Sequence, residues 1–187
     1  MKSREVAYLQ MLALLSLSKT PRGRKNLAEE LRIGEGIVRT LLEGARDLGH
    51  VAVMRGGVVA TEQGLSFLKE ALDLCGVAEI FAVDEAKRLL CGRRCMAYVL
   101  HEEVKEPLKT RDSLVRLGAC GALVLEKRED QFFLPPLGES LESYDVALAS
   151  LLRAKAAGGT SVIISCGENY ADAFAYIALK CPQTLSF

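Results

Sequence analysis

The chain has 187 residues, of which 50% are hydrophobic and 26% charged, so it can bury a core as one large domain or two small ones. This composition excludes a disordered or fibrous protein. Its 24 Lys and Arg balance its 24 Asp and Glu, which excludes a polycation, although a local basic patch can bind nucleic acid within a neutral chain.

The apolar segment near the N-terminus, residues 6–17, bears on cellular location. It is too short to cross a bilayer. It shares features with a secretory signal, but Glu5 and Gln10 disfavour one, so we expect a cytoplasmic protein without a membrane partner. Asn and Gln together number only six, which indicates a thermophilic source, where intracellular disulfides between the six Cys are compatible with the compartment.

The first 75 residues predict the order helix, helix-turn-helix, hairpin, helix. Apolar residues recur at helical spacing, Ser3 can cap the first helix and Gly49 can end the third. The period then changes to that of two short strands around Arg55-Gly56-Gly57. The predicted helices are residues 3–17, 25–31, 35–48 and 61–75, and the predicted strands are residues 50–54 and 58–60.

From about residue 77 the pattern becomes that of an α/β domain. We predict a helix over residues 84–90 and then strands over 95–100, 119–126, 131–134 and 161–165, with helices over 107–117, 143–157 and 168–180. The resulting order is β-α-β-β-α-β-α, which matches a ferredoxin-like domain, with a three-layer α/β sandwich as the alternative. The prediction is an α+β protein with domains over residues 1–76 and 77–187.

Residues 4–75 resemble a winged helix-turn-helix. The resemblance rests on the order and spacing of short motifs: Leu27-Ala28, Ile33-Gly34, Val38, Leu42, Gly49-His50-Val51 and Thr61-Glu62-Gln63-Gly64. Gly36 and Gly44 depart from it, because each costs a helix about 1 kcal/mol relative to Ala. The resemblance implies a transcriptional regulator that binds double-stranded DNA.

The face of the third helix opposite its apolar stripe carries the candidate base-reading residues, since the N-terminal part of such a helix enters the major groove. Basic residues before the second helix are candidates for phosphate contacts, and one Arg lies at the wing tip. The candidate DNA-binding residues are Lys19, Arg22, Arg24, Lys25, Gly36, Arg39, Thr40, Arg46 and Arg55. Acidic residues on the same helix, such as Glu43, keep open an alternative in which this unit docks a protein or an RNA without catalysis.

The C-terminal half resembles a domain that follows a helix-turn-helix in archaeal proteins of unsettled function. The resemblance covers Arg111 to Ala119 and continues to Phe133-Leu134-Pro135. It implies an architecture and not an activity, and we expect this domain to sense a small effector or to mediate dimerisation. The predicted strand 161–165 runs directly into the predicted helix that begins at residue 168, and the free N–H groups at a helix start can bind an anion. The candidate ligand site is therefore Ser165, Gly167 and Asn169. An ordinary turn capped by the helix's own residues is the alternative.

Metal and catalytic motifs are not found in the sequence. Cys91-Gly-Arg-Arg-Cys95 lacks a second cysteine pair at zinc spacing, and buried thiols, a disulfide or a redox-sensitive thiol remain open for it. We therefore expect no catalytic residue, no metal and no cofactor, and a protein that is not an enzyme.

The predicted helix 61–75 is apolar on two sides. One stripe, which includes Leu65 and Leu68, suits the core of a winged helix. The other, formed by Phe67, Ala71 and Leu74, needs cover from a second chain, the first helix or the C-terminal domain. Because helix-turn-helix proteins commonly bind DNA as two-fold dimers, we expect a homodimer.

Overall fold

The computed structural model describes residues 3–184. Four helices and one hairpin form its first part, in the order predicted from the sequence. They are α1 (Arg4–Ser16), α2 (Arg24–Leu31), α3 (Glu35–Asp47), β1 (Val51–Met54), β2 (Gly57–Ala60) and α4 (Glu62–Leu74).

Local side-chain contacts explain where these helices begin. The Ser3 hydroxyl accepts a hydrogen bond from the N–H of Val6, and the Thr61 hydroxyl accepts one from the N–H of Gly64 at 3.0 Å. Thr61 also donates to the carbonyl of Gly49 at 2.6 Å, which joins the start of α4 to the end of α3. A Cβ atom on Gly64 would lie 2.1 Å from the carbonyl oxygen of His50, so only glycine allows α4 to begin against the hairpin.

The second part is built on one antiparallel sheet of six strands. In sheet order the strands are β3 (Val77–Ala82), β4 (Arg94–Leu100), β8 (Ser161–Gly167), β5 (Gly121–Arg128), β6 (Gln131–Leu134) and β7 (Glu139–Ser140). The helices are α5 (Pro107–Arg116), α6 (Val146–Lys155), α7 (Tyr170–Ala173) and α8 (Ala175–Thr184).

Five local features of this part differ from the predictions. No strand was predicted at β3, and a helix was predicted over 84–90 where the chain makes only a 3₁₀ turn, Asp84–Arg88. The predicted last helix is divided at Phe174 into α7 and α8. The short β7 lies where no strand was predicted, and a 3₁₀ turn, Leu141–Ser143, replaces the early start predicted for α6.

The sheet is covered on both faces, so the three-layer alternative forms and the ferredoxin-like one does not. Along β4, Met96 and Tyr98 pack on the side of α1, α5 and α8, whereas Ala97 and Val99 pack on the side of α6. β8 pairs with β4 on one side and with β5 on the other, which separates the two strands that α5 connects. Helices on the two faces then follow, because each connection must pack against an apolar surface of the sheet.

One hydrophobic core crosses the predicted boundary between residues 76 and 77. It includes Leu12 of α1, Leu27 of α2, Tyr98 of β4 and Ile177 of α8. Helix α1 is buried along nearly all of its length because it packs against both α4 and α8. Its Gln10 amide donates to the carbonyl of Phe174 at 3.2 Å across this boundary.

The six cysteines form three disulfides, a pairing that the sequence analysis leaves open. Cys75–Cys181 joins the end of α4 to α8, Cys91–Cys120 joins the loop before β4 to the start of β5, and Cys95–Cys166 joins facing positions of β4 and β8. Within residues 3–184, every helix is too short or too polar to cross a bilayer.

Candidate nucleic-acid interface

A cleft of about 700 Å³ lies between α3, the β1–β2 hairpin and the segment that leads into α2. Its floor contains the buried apolar side chains of Leu42, Val51 and Val58. Its walls carry four cationic side chains, Arg22, Arg24, Arg39 and Arg46. All four are candidate DNA-binding residues from the sequence, so the fold brings two predicted groups, from α3 and from the α2 approach, to one cleft.

Helical spacing places the α3 side chains in this cleft. Val38, Leu41, Leu42 and Ala45 are buried against the rest of the chain. The flank of α3 that faces the hairpin carries three charged side chains at helical spacing: Arg39, Glu43 four residues later and Arg46 three residues after that.

Ion pairs within α3 reduce the positive charge that the cleft presents. Arg39 Nε donates to Glu43 Oε1 at 2.9 Å, and both side chains are at least half exposed. Arg46 lies 3.5 Å from the carboxylate of Asp47. Because exposed pairs of this kind are weak, at about 0.3–0.5 kcal/mol, an anion with several charges can compete for either guanidinium.

Arg22 is held at the cleft by its backbone as well as by its side chain. Its N–H donates to the carbonyl of Val58 at 3.0 Å and its carbonyl accepts from the N–H of Val58 at 2.9 Å, which adds a bridge beside β2. A Cβ atom on Gly57 would lie 2.4 Å from the Arg22 carbonyl oxygen, so this approach requires glycine. The guanidinium donates to Ser18 Oγ at 2.7 Å and to Asn26 Oδ1 at 2.8 Å.

The remaining predicted DNA contacts lie outside the cleft walls. Lys19 and Lys25 are exposed on the approach to α2 and in its first turn, and Arg55 is exposed in the hairpin turn. The Thr40 hydroxyl donates to the carbonyl of Gly36 at 3.2 Å, and Thr40 lines a different groove, on the other flank of α3. The structure therefore does not group Thr40 with the four arginines.

Two apolar residues of the cleft were missed by the sequence analysis. Val53 and Met54, which end β1, are 70% and 54% exposed and line the cleft at the hairpin. The sequence does contain a signal for them. Side chains of a strand point alternately to its two faces, so two consecutive apolar residues next to the Gly-Gly turn cannot both face the core.

At Ser165, Gly167 and Asn169 the structure favours the alternative to a ligand site, an ordinary capped turn. The Ser165 hydroxyl is buried and donates to the carbonyl of Ala173 at 2.5 Å, and a Cβ on Gly167 would collide with Asp172. The Asn169 side chain caps α7 by accepting from the N–H of Asp172. The N–H of Tyr170 donates to the carboxylate of Glu30 at 3.3 Å, so the protein's own groups occupy this helix start.

These contacts connect α2 to the C-terminal part. Arg94 donates to Glu30 at 2.9 Å and lies over the ring of Tyr170, and Arg32 forms an ion pair with Asp172 at 3.3 Å. The segment predicted to bind an anion is instead the place where the C-terminal part holds the helix that precedes α3.

Comparison with known proteins gives two family matches. Residues 9–65 match the family described as the PH0730-like N-terminal domain. Residues 92–183 match a domain of unknown function, DUF4443. Each match covers one of the two predicted parts of the chain.

The fold is that of an archaeal protein. The solved structure of the hypothetical protein PH0730 from Pyrococcus horikoshii OT3 is 26% identical and superposes with a TM-score of 0.69, over 95% of this chain and 91% of that one. None of the curated proteins matches the chain. The similarity to PH0730 therefore extends across both parts.

Proposed function

We propose that this chain is a DNA-binding transcriptional regulator in which α2, the following turn and α3 form a helix-turn-helix and β1–β2 forms the wing. The observation that carries the proposal is the cleft in which Arg22, Arg24, Arg39 and Arg46 converge from two segments beside the exposed flank of α3. Arginines gathered at a helix and a hairpin suit a duplex, because they contact phosphates and base edges together.

The distribution of charge supports the proposal. Residues 1–74 contain 11 basic and 9 acidic side chains, whereas residues 75–187 contain 13 and 15. The first part is therefore net positive by two and the second net negative by two. A polyanion is attracted to the first part, and the second remains available to sense an effector in the cytoplasm or to mediate dimerisation.

Selection of bound DNA from a random pool tests the proposal directly. We expect an enriched site whose affinity falls steeply with salt, with a slope of about −0.9 for each phosphate neutralised. Replacing Lys19, Arg22, Arg24 and Lys25 by Ala, singly and together, should weaken binding to all sequences alike and flatten the slope by about one for each side chain that neutralises a phosphate. A pool without enrichment, or binding independent of salt, contradicts the proposal.

The second candidate function is an interaction module that docks a protein or an RNA. The observation that favours it is the exposure of Val53 and Met54 beside the paired Arg39 and Glu43, a mixture of apolar and opposite charges that also suits a protein surface. The affinity for a protein partner bound by this surface should fall only weakly with salt, whereas the affinity for DNA should fall steeply; an RNA partner, which is also a polyanion, is distinguished from DNA by direct competition between the two.

We also propose that the regulator is a homodimer, although α4 leaves less surface for it than its sequence indicates. Ala71 is buried, and the rings of Phe67 and Tyr8 of α1 pack in a T-shaped arrangement, so the first helix covers part of the second stripe. Leu74 remains 65% exposed, and Leu65, predicted to be in the core, is 41% exposed. Light scattering at micromolar concentration should give twice 20.3 kDa, and the single chain mass refutes the dimer.

A further inference from the structure

A second groove lies on the flank of α3 that faces away from the arginine cleft. It is an open groove of about 500 Å³ between helices α1, α3 and α4, and its walls are mainly apolar. Leu48 and Phe67 are the most exposed apolar side chains that line it, and Arg4, Glu5 and Thr40 are its polar lining residues. Such a volume, apolar with few polar groups, is typical of a small-molecule site.

One wall of this groove is a fixed cluster of three rings. The hydroxyl of Tyr8 and Nδ1 of His50 are 2.8 Å apart and hydrogen-bonded. The buried His50 ring stacks on Phe67 with centroids 4.5 Å apart, and Tyr8 meets Phe67 edge-on at 6.0 Å. Phe67 is 38% exposed, so the cluster holds an aromatic face toward the groove.

The opposite wall is opened by Gly44, in the interior of α3. A Cβ atom there would meet no atom within 4 Å among the described residues, and the backbone φ angle of Gly44 is not positive. The fold therefore needs no glycine at this position, yet glycine costs an interior helical position about 1 kcal/mol relative to Ala. What it provides is room for a molecule to contact the backbone of α3 in the groove.

We propose that this groove binds a small aromatic molecule, which packs between the Phe67 ring and the α3 backbone at Gly44. The volume of the groove, about 500 Å³, lies within the range of small-molecule sites, about 300–1,000 Å³. If the proposed function is correct, the ligand regulates it, because Thr40 and Gly44 lie on the same helix as Arg39 and Arg46.

Titration with 1-anilinonaphthalene-8-sulfonate, without DNA, tests the proposal on the full chain. We expect saturable fluorescence enhancement from one site and at least tenfold weaker binding by Gly44→Leu, whose new side chain fills the groove. Ala154→Leu adds a comparable side chain on the exposed surface of α6, away from the groove, and should bind the probe as the parent does. Circular dichroism melting shows that Gly44→Leu is folded, since the substitution raises helix propensity.

Three results overturn the proposal: no saturable binding by the parent, equal binding by Gly44→Leu, or equal weakening by Ala154→Leu. Light scattering adds a fourth, because a parent dimer that Gly44→Leu converts to monomer means that a second chain fills the groove. Probe binding in the absence of DNA keeps the two proposals separate. If the chain binds the probe through the groove but selects no DNA, the proposed function is refuted and the proposal of a small-molecule site in the groove stands.

Discussion

Arg39 and Glu43 illustrate at the scale of residues how α3 presents its charge. They lie one helical turn apart on the flank that faces the hairpin, and their 2.9 Å ion pair is exposed. The exposed position of Arg39 follows from helical periodicity alone. That it meets Arg22 and Arg24 follows only from the packing of the hairpin and the α2 approach against α3.

Arg39→Ala should lower affinity for a selected DNA site by about 1–3 kcal/mol, or about 5- to 150-fold, if Arg39 contacts a base. The fold should persist, because the ion pair that is removed contributes only about 0.3–0.5 kcal/mol. Fluorescence anisotropy with labelled DNA measures the affinity. Arg116→Ala, an exposed arginine at the end of α5, is the charge-matched control, and equal affinity of Arg39→Ala and the parent removes Arg39 from the interface.

Glu43→Gln should change the affinity for DNA in the opposite direction to Arg39→Ala. It removes a negative charge from the cleft and releases Arg39 from its partner, so affinity for all DNA sequences should rise and the salt slope should steepen. The same anisotropy titrations, repeated at several salt concentrations, measure both quantities. Unchanged or weaker binding by this variant means that DNA does not occupy the cleft.

Two tyrosines in the core make stability depend on alkaline pH. Tyr98 and Tyr176 lie with ring centroids 5.1 Å apart; burial raises the pKa of Tyr176 to about 12 and that of Tyr98 further. Between pH 10 and 12 the unfolded chain loses the Tyr176 proton while the folded chain keeps it, so stability is fully present below pH 10 and falls as pH rises.

Tyr176→Phe should therefore flatten the fall in the free energy of unfolding over this range, by at most about 1.4 kcal/mol per pH unit. Urea unfolding at pH 9, 10 and 11 measures the slope. Tyr144→Phe, a change at an exposed tyrosine, should retain the slope of the parent. Parallel slopes for all three proteins mean that Tyr176 ionises equally in the folded and unfolded chains.

At the scale of elements, the disulfides join segments that the sequence does not show to be neighbours. The register of β4 and β8 pairs Cys95 with Cys166, and the loop before β4 brings Cys91 to Cys120. Cys91 and Cys95, only four positions apart, belong to different disulfides. The pairing depends on strand order, which is a property of the folded sheet.

We expect the three disulfides to be reduced in order of their exposure, because a thiolate must reach the sulfur that it attacks. Cys91 and Cys120 are exposed, whereas Cys95 and Cys166 are 2% and 0% exposed. Timed reduction by dithiothreitol, alkylation and peptide mass spectrometry should find Cys91–Cys120 opened first and Cys95–Cys166 late. Simultaneous opening of all three would mean that reduction requires global unfolding.

At the scale of the whole molecule, α1 and α2 connect the two parts so closely that they share one core. Helix α1 packs on α8, and Glu30 at the end of α2 contacts both Arg94 and Tyr170. Cys75–Cys181 adds a covalent connection between α4 and α8. We infer that residues 1–76 depend on the C-terminal part for their stability.

The isolated fragment 1–76 should therefore lack a cooperative thermal transition, because removing the C-terminal part exposes the apolar surface of α1 that faces α8. The full chain should unfold in one calorimetric transition. Circular dichroism of the fragment and calorimetry of the chain measure these properties. A fragment that melts cooperatively, or a chain with two separate transitions, shows instead two independent folding units.

The order and approximate bounds of the four N-terminal helices and the hairpin, and most elements of the C-terminal part, are predictable from the sequence alone. These depend on local interactions: periodicity, the caps at Ser3 and Thr61, and the glycines at the turns. The exposure of Arg39 and Arg46 is predictable as well, because it follows from the apolar stripe of α3.

The position of β8 between β4 and β5, the disulfide pairs, the flank to which Thr40 belongs and the groove beside Gly44 emerge only in the folded chain. Each depends on contacts between residues far apart in the chain, such as Cys75 and Cys181, which are separated by 106 positions. Local periodicity shows that a face is apolar but does not specify which distant surface covers it, since burial is non-directional and many partners satisfy it equally.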